Sequence, residues 1–428
     1  MDLLTLGLIT GGVIVTKEFS NLFINNLNIT SYKFNKTMKN LNLNFTIENK
    51  QKIKNGILLT VKTPEGKSYK DLEKHIDSLE SSLRGIIKIE NIRFTDLIKI
   101  EVINKDPSCY YFEPVKSQNN MLYIGKQFNG QNYFVNIEKD PHILIGGMTG
   151  TGKTYLLSSI LTNLIYNSSN DIDLYLSQIM KGEIGQFANC KPVKFVGNTL
   201  EEVSIILDKL SKIVDERSRK FNANGYKNLS HYNKKNKKKF KRIYFVIEEV
   251  SFFIATDSDS EDIRKLKNKC WNNILVIVRT GRSSGVHFLS VTQRSTIANI
   301  PSEVKSQMCC ITLRQRSKRD SQNIIEDDGA VDLKDRECLV FCSKGLDIVK
   351  VPSVDDDYEI LQKYVKEIIV PNKPQQKIIK LEVEEVKFTH TPINLDKDKD
   401  KIIFLETAAE KEKLVKDNKK ERTGRIKC

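Results

Sequence analysis

The 428-residue chain lacks the cysteine spacings of a metal site or a disulfide framework. Its eight cysteines include no Cys-x-x-Cys pair and stand at no Cys/His ligand spacing, and these are the patterns of zinc-binding and disulfide-rich domains. Cys309, Cys310, Cys338 and Cys342 fall inside apolar, strand-like segments. We therefore interpret the cysteines as reduced thiols of a cytosolic protein.

An apolar run long enough to span a bilayer is missing near the N-terminus. Residues 3–16 are uncharged and mostly apolar, but a spanning helix needs about 20 such residues. Asp2 rather than a basic stretch precedes the run, which argues against a signal peptide. A short membrane-associated stretch and a buried segment both remain open. Lys17 and the basic chain after it predict that the bulk of the protein is cytoplasmic, in contact at most with the inner face of the membrane.

Acidic residues are too few to balance the basic ones. There are 54 Asp and Glu against 69 Lys and Arg, which gives a formal net charge of +15. Such an excess indicates a polyanionic partner, an acidic membrane surface or a solvated lysine-rich surface. It is densest in HYNKKNKKKFKR, residues 231–242. This cluster would bind phosphates without reading sequence, and a solvated basic loop is the alternative.

Periodicity divides the chain into four parts. Residues 1–55, rich in Asn and Lys, predict an N-terminal segment and linker. Residues 56–120 predict a small α/β domain, with a strand in GILLTVKTPEG and an amphipathic helix in SYKDLEKHIDSLESSLRG. Residues 121–353 predict a larger unit, and the charged residues 354–428 predict a flexible tail.

Strands alternate with helices throughout the larger unit. HILIG precedes a helix that begins at Lys153, and RIYFVIEE follows a long helix that opens with the capping box Thr199-Leu200-Glu201-Glu202. This alternation predicts a mostly parallel sheet covered by helices on both faces. The fold class we expect is therefore α/β.

A phosphate-binding loop is predicted between the HILIG strand and the helix after it. The segment GMTGTGKT matches G-x-x-x-x-G-K-[ST] in the strand–loop–helix context that makes this pattern credible. Its backbone N–H groups and the helix N-terminus would bind phosphate oxygens, its lysine would reach the β- and γ-phosphates of ATP, and its last threonine would ligate Mg²⁺. The residues are Gly147, Met148, Thr149, Gly150, Thr151, Gly152, Lys153 and Thr154.

Two acidic residues follow a second apolar strand. IYFVI ends in Glu248 and Glu249. We expect Glu248 to orient Mg²⁺ and its water shell and Glu249 to polarise the attacking water as a general base. A third strand, GVHFLSVTQRS, places Gln293 at its end, where an amide could report the presence of the γ-phosphate. His287 lies within that strand and is interpreted as a packed residue.

These pieces, in this order, resemble the FtsK/SpoIIIE family of DNA-pumping ATPases. The similar segments include GKQFNGQNYFVNIEKDPHILIGGMTGTGKT, RSRKFNANGYKNLSHYN, RIYFVIEEVSFF, VRTGRSSGVHFLSVTQRS, ANIPSEVKSQMCCITLR and SKRDSQNIIEDDGAVDL. The resemblance covers residues 56–353. It implies a RecA-like P-loop motor preceded by a small α/β domain, working as a ring of identical subunits, typically six, around DNA.

The resemblance carries over residue by residue. Lys153, Thr154, Glu249 and Gln293 match the phosphate, Mg²⁺, catalytic and sensor positions. The family usually has Asp-Glu where this chain has Glu248-Glu249, so the first side chain is one methylene longer. An arginine that reaches a neighbouring subunit's nucleotide is also expected, and the candidates are Arg314, Arg316 and Arg319.

The resemblance also suggests a biological role. With at most one short apolar segment, and with no winged-helix pattern after residue 353, the chain is more similar to coupling proteins of Gram-positive conjugative elements than to chromosome pumps. Those motors feed DNA to a transfer channel, which implies a relaxase and membrane channel proteins as partners. A chromosome or plasmid segregation motor, a protein-export ATPase and a scaffold that does not hydrolyse ATP remain alternatives.

Overall fold

The computed structural model describes residues 28–106, 109–179, 183–292 and 305–370. Its N-terminal part is a four-stranded antiparallel sheet in the order β1-β2-β4-β3. The strands are β1 (Thr46–Ile53), β2 (Gly56–Lys62), β3 (Ile86–Asn91) and β4 (Leu97–Ile103). Three helices accompany them: α1 (residues 28–40), α2 (Tyr69–Glu73) and α3 (Ile76–Leu83).

The predicted linker is wrong for residues 28–53, which belong to this small domain. Phe34 and Met38 on α1 are buried with Leu59 and Ile100 of the sheet, and β1 pairs along β2. The sequence conceals this because β1, TIENKQKI, is an edge strand with almost every side chain exposed. The predicted amphipathic helix is confirmed as two shorter helices that break at His75.

The larger part is built on a ten-stranded sheet in the order β6-β5-β14-β13-β12-β7-β11-β10-β8-β9. The six strands from β12 to β9 are parallel, and the four from β13 to β6 are joined by antiparallel pairings. The strands are β5 (Met121–Gln127), β6 (Asn132–Asn136), β7 (His142–Gly146), β8 (Ile172–Ser177), β9 (Val193–Gly197), β10 (Arg242–Ile247), β11 (Val286–Val291), β12 (Met308–Thr312), β13 (Glu337–Cys342) and β14 (Gly345–Lys350).

Helices cover both faces of this sheet. They are α4 (Lys153–Ser168), α5 (Leu200–Ala223), α6 (Leu229–Lys235), α7 (Glu261–Ser284), α8 (Lys318–Ile325) and α9 (Glu359–Gln362). One apolar core packs α4 against the sheet and a second packs α5 and α7 against the other face. Every residue of the central strand β10 is buried, as expected for a parallel strand between two helical layers. The predicted α/β fold with a mostly parallel sheet is confirmed.

Two boundaries of the larger part differ from those predicted. Phe112 is buried in the α4-side core, and its N–H donates to the Ser353 carbonyl at 2.9 Å. Residues 109–120 therefore belong to the larger part rather than to the small domain. The predicted flexible tail is also wrong for residues 354–370, because Leu361 and Ile368 are buried in the same core. The charged spacers between these apolar residues conceal the packed segment.

No helix in the described ranges is both long and apolar enough to cross a membrane. The apolar run at residues 3–16 and the charged stretch at residues 371–428 lie outside those ranges.

Candidate nucleotide-binding site

The predicted phosphate-binding loop connects the buried strand β7 to helix α4. Gly147, Gly150 and Gly152 have φ values of 150°, 82° and 95°, in the region that favours glycine. A Cβ on Gly147 would lie 2.9 Å from the Thr151 hydroxyl oxygen. The turn therefore requires glycine at this position, both for its backbone angles and for the space it leaves.

One hydrogen bond joins the loop to the segment after the neighbouring strand, and a second closes the loop on itself. The Met148 N–H donates to the Arg314 carbonyl at 3.1 Å, and the Thr151 hydroxyl donates to the Met148 carbonyl at 2.7 Å. Arg314 stands two residues after β12, which lies next to β7 in the sheet. The loop is thus held from two strands before any ligand arrives.

Lys153 fills the interior of the loop. Its side chain is buried, and its ammonium donates to the carbonyls of Gly147 and Met148 at 2.8 Å each. Burial lowers the pKa of Lys153, and the charge of Glu249 opposes that effect. An ammonium held by loop carbonyls is poised to exchange them for phosphate oxygens. Thr154 follows on the first turn of α4 and is half-buried.

Glu249 lies at the same edge of the sheet, after β10. Its Oε1 accepts hydrogen bonds from the Ser251 N–H at 3.2 Å, from the Ser251 hydroxyl and from the Thr292 hydroxyl at 3.1 Å. Thr292 directly follows β11, the strand between β7 and β10. The sequence does not suggest these two supporting hydroxyls, although Thr292 is the first residue of the Thr-Gln-Arg segment.

The carboxylate of Glu248 has different hydrogen-bond partners from that of Glu249. Its Oε1 accepts from the Glu183 N–H at 2.9 Å, and its Oε2 is buried without a hydrogen-bond partner among the described residues. Burial is the largest cause that raises its pKa to about 7. A buried carboxylate oxygen without a donor is suited to a cation. The chemistry of this position therefore fits the Mg²⁺ predicted for Glu248 and Thr154.

The raised pKa of Glu248 predicts a pH dependence of stability in protein without nucleotide. The folded state favours the protonated acid, so this contribution is complete below about pH 4.5 and is lost as the pH rises towards 7. From pH 5 to 8, the free energy of unfolding of wild type should fall by up to about 3 kcal/mol relative to Glu248→Gln. Urea unfolding at both pH values measures this difference. Equal pH dependences in the two proteins would contradict it.

A cavity of about 330 Å³ opens beside the loop. Tyr155, Lys334 and Arg336 line it together with Val351 and Pro352, and the Tyr155 hydroxyl donates to Asp356 at 2.5 Å. These residues come from α4 and from both sides of the β13–β14 hairpin, so only the folded chain brings them together. The cavity extends the loop into a site with room for more of a nucleotide, and its lining includes three basic residues and the acidic residues Asp335 and Glu337.

The remaining predicted site residues have different outcomes. Gln293 lies outside the described residues. Arg314 is exposed and lines the cavity of its own chain, whereas Arg316 and Arg319 are exposed on the segment that leads into and begins α8. His287 is fully buried at the other end of β11, where its Nδ1 lies 2.8 Å from the Pro141 carbonyl.

The chain is similar in sequence to known proteins. The FtsK/SpoIIIE family model matches residues 113–326. DNA translocase FtsK of Helicobacter pylori strain J99 is 24% identical over 277 residues, which cover 59% of this chain and 31% of that protein. Its counterpart in Staphylococcus epidermidis strain RP62A is 23% identical over 264 residues, covering 60% and 32%. The chain thus spans about a third of the length of these relatives.

A solved structure matches more of the chain. The pCW3 conjugation coupling protein TcpA, in a monomer form with ATPγS, is similar over 79% of this chain and 99% of its own, with a TM-score of 0.57 and 20% identity. At that identity the likeness establishes the fold alone. Because the family model spans half of the sequence, including the phosphate-binding loop and the acidic strand, the chain belongs to the FtsK/SpoIIIE family.

Proposed function

We propose that this protein is an ATP-driven DNA translocase, a coupling protein that moves plasmid or element DNA to a conjugative transfer channel. The observation that carries the proposal is the placement of Lys153 and Glu249 at one edge of the sheet, close enough for the charge of Glu249 to act on Lys153. This is the arrangement needed to bind a triphosphate and activate a water molecule beside it. The likeness of the fold to that of a conjugation coupling protein supports the specific role.

ATP with Mg²⁺ is the ligand that the site fits. The backbone of residues 147–152 and the Lys153 ammonium would hold the phosphates, and Thr154 and Glu248 would hold the ion. Mg²⁺ supplies charge neutralisation at the β- and γ-phosphates. Glu249, held by Ser251 and Thr292, would orient and polarise the attacking water.

DNA is the proposed cargo, and a ring of identical subunits, six in number by family analogy, is the proposed assembly. The FtsK relatives are named DNA translocases. Arg316 and Arg319 are exposed, so either could reach a neighbouring subunit's nucleotide. A relaxase and channel proteins at the inner face of the membrane complete the proposed set of partners.

ATP turnover measured with and without double-stranded DNA tests this function. We expect several-fold stimulation by duplex DNA, because a motor releases product faster when its cargo engages it. A peptide with an export signal serves as the matched control and should have no effect. Stimulation by the peptide instead of DNA would favour protein export, and no turnover under any condition would favour the scaffold alternative.

A further inference from the structure

The densest basic segment of the chain lies far from the nucleotide site. Residues 234–239, which we call the lysine loop, comprise the last two residues of α6 and the first four residues of the turn between α6 and β10. It precedes the first residue of β10, whereas Glu249 follows the last one. Six residues of strand span about 20 Å. The lysines of this loop are therefore at the opposite edge of the sheet and do not neutralise the triphosphate.

The structure separates the seven cations of residues 231–242 into two groups. Arg242 is buried, with its guanidinium 3.0 Å from Glu138 and 2.8 Å from the His287 ring. Lys241 lies 3.3 Å from Asp173. These two are structural. The other five are exposed, and none forms a salt bridge within the described ranges. They are Lys234, Lys235, Lys237, Lys238 and Lys239.

The lysine loop is closed by one asparagine. The Asn233 side-chain amide donates to the Phe240 carbonyl at 2.8 Å, and its carbonyl oxygen accepts the Phe240 N–H at 2.9 Å. A backbone bond from the Asn236 N–H to the Tyr232 carbonyl, 3.0 Å long, caps the C-terminal end of α6. Asn233 and Phe240, which flank the lysine loop, are therefore fixed to each other. Lys234 and Lys235 lie on the last turn of α6, and the other three lysines lie on the turn that follows.

A stack of aromatic rings holds this turn on the protein. Phe240 stacks on Tyr232 with centroids 4.7 Å apart, and Tyr232 stacks on Phe221 at 5.3 Å. The Arg217 guanidinium and the Lys220 ammonium lie 5.1 Å and 5.0 Å from the Phe240 ring centre. Lys220 is exposed and adds one cation at the base of the loop, whereas the half-buried Arg217 guanidinium donates to the Ser284 carbonyl at 2.9 Å. Five like charges without a salt bridge within six consecutive residues raise the local electrostatic potential, and a polyanion lowers it.

We infer that the lysine loop binds the phosphate backbone of duplex DNA without reading its sequence, as a contact separate from the nucleotide site. The choice of DNA rests on the proposed function. The loop offers charge without base-reading groups, since its exposed side chains are almost all lysine, and lysine contacts phosphates as a point charge. This would be a DNA contact at the edge of the sheet opposite the nucleotide site.

The test replaces all five lysines by glutamine in the full chain and measures duplex DNA binding over a range of salt. We expect affinity to fall by at least about tenfold, and the slope of log K against log salt to flatten by up to about 4.5, at about 0.9 for each phosphate that is no longer neutralised. The control replaces five exposed lysines of the small domain, which removes the same charge elsewhere. They are Lys36, Lys39, Lys54, Lys67 and Lys70.

A second variant separates geometry from charge. Asn233→Ala opens the loop and leaves all the lysines in place, so affinity should fall severalfold while the salt slope keeps its wild-type value. Equal losses of affinity in the lysine-loop and control variants, or no loss in either, would overturn the inference. So would weakened binding to vesicles of anionic phosphatidylglycerol with DNA binding intact, since the surface would then be a membrane contact.

ATP turnover in the absence of DNA distinguishes this inference from the proposed function. The lysine-loop variant should keep that basal turnover, because the substituted side chains are remote from Lys153 and Glu249. Absence of DNA-stimulated turnover in wild type would count against the translocase proposal. A lysine-loop variant that binds DNA like wild type would count against this inference alone.

Discussion

Lys153→Ala is expected to reduce ATP turnover by at least about a hundredfold and to weaken nucleotide binding. The ammonium is the buried cation in the loop, and it is already positioned by the Gly147 and Met148 carbonyls at 2.8 Å. Alanine leaves the two carbonyls facing the phosphates with no charge between them. Binding of a fluorescent ATP analogue and phosphate release with Mg²⁺ measure the two effects.

Lys334→Ala is the matched control for this prediction. Lys334 is exposed and lines the same cavity, but its side chain makes no hydrogen bond to the loop in the described part of the chain. Its loss should change turnover by less than about tenfold, in the range of an exposed charge. Normal turnover in Lys153→Ala would contradict the phosphate-binding role of residues 147–154. Equal reductions of turnover in both variants would mean that Lys153 contributes only positive charge, as Lys334 does, and not a specific phosphate contact.

Glu249→Gln is expected to keep ATP binding and to slow hydrolysis by about 10²–10⁴-fold, the usual contribution of a general base. Glutamine retains an oxygen that accepts from Ser251 and Thr292, so the local structure is preserved. What it loses is the negative charge that polarises water. Single-turnover hydrolysis of bound ATP separates this step from binding and product release.

Glu337→Gln provides the comparison for Glu249. Glu337 is a buried acid that lines the cavity, and its Oε2 accepts the Lys334 N–H at 2.9 Å. Glutamine can keep that bond, so turnover should stay within about threefold of wild type. Rapid hydrolysis by Glu249→Gln would exclude Glu249 as the base and direct attention to Glu248.

The parallel half of the fold could be predicted because its elements are locally consistent. HILIG and RIYFVI are short apolar strands between turn residues, and α5 begins with a capping box that the structure contains, with the Glu202 N–H donating to Thr199. Patterns of this kind depend on neighbours in sequence. Such local patterns are sufficient to predict the phosphate-binding loop, the positions of Glu248 and Glu249 and the alternation of strands and helices.

The parts that the sequence does not reveal depend on distant contacts. The exposed edge strand β1 has no apolar alternation to recognise, and residues 354–370 are packed by a core assembled from strands far away in the chain. The cavity residues Lys334 and Arg336 stand about 180 positions after the phosphate-binding loop, and only the order of the strands in the sheet brings them to the same cavity. Thr292 is similarly joined to Glu249 by the pairing of β10 with β11.

The bond between Phe112 and Ser353 has a practical consequence for dissecting the protein. It joins the first residues of the larger part to the segment after β14, and the Ser353 N–H donates in turn to the Tyr110 carbonyl at 2.7 Å. A fragment cut at residues 113–326 would lose this fastening along with β13, β14 and one wall of the nucleotide cavity. A fragment of the larger part that folds independently should instead run from residue 109 to residue 370.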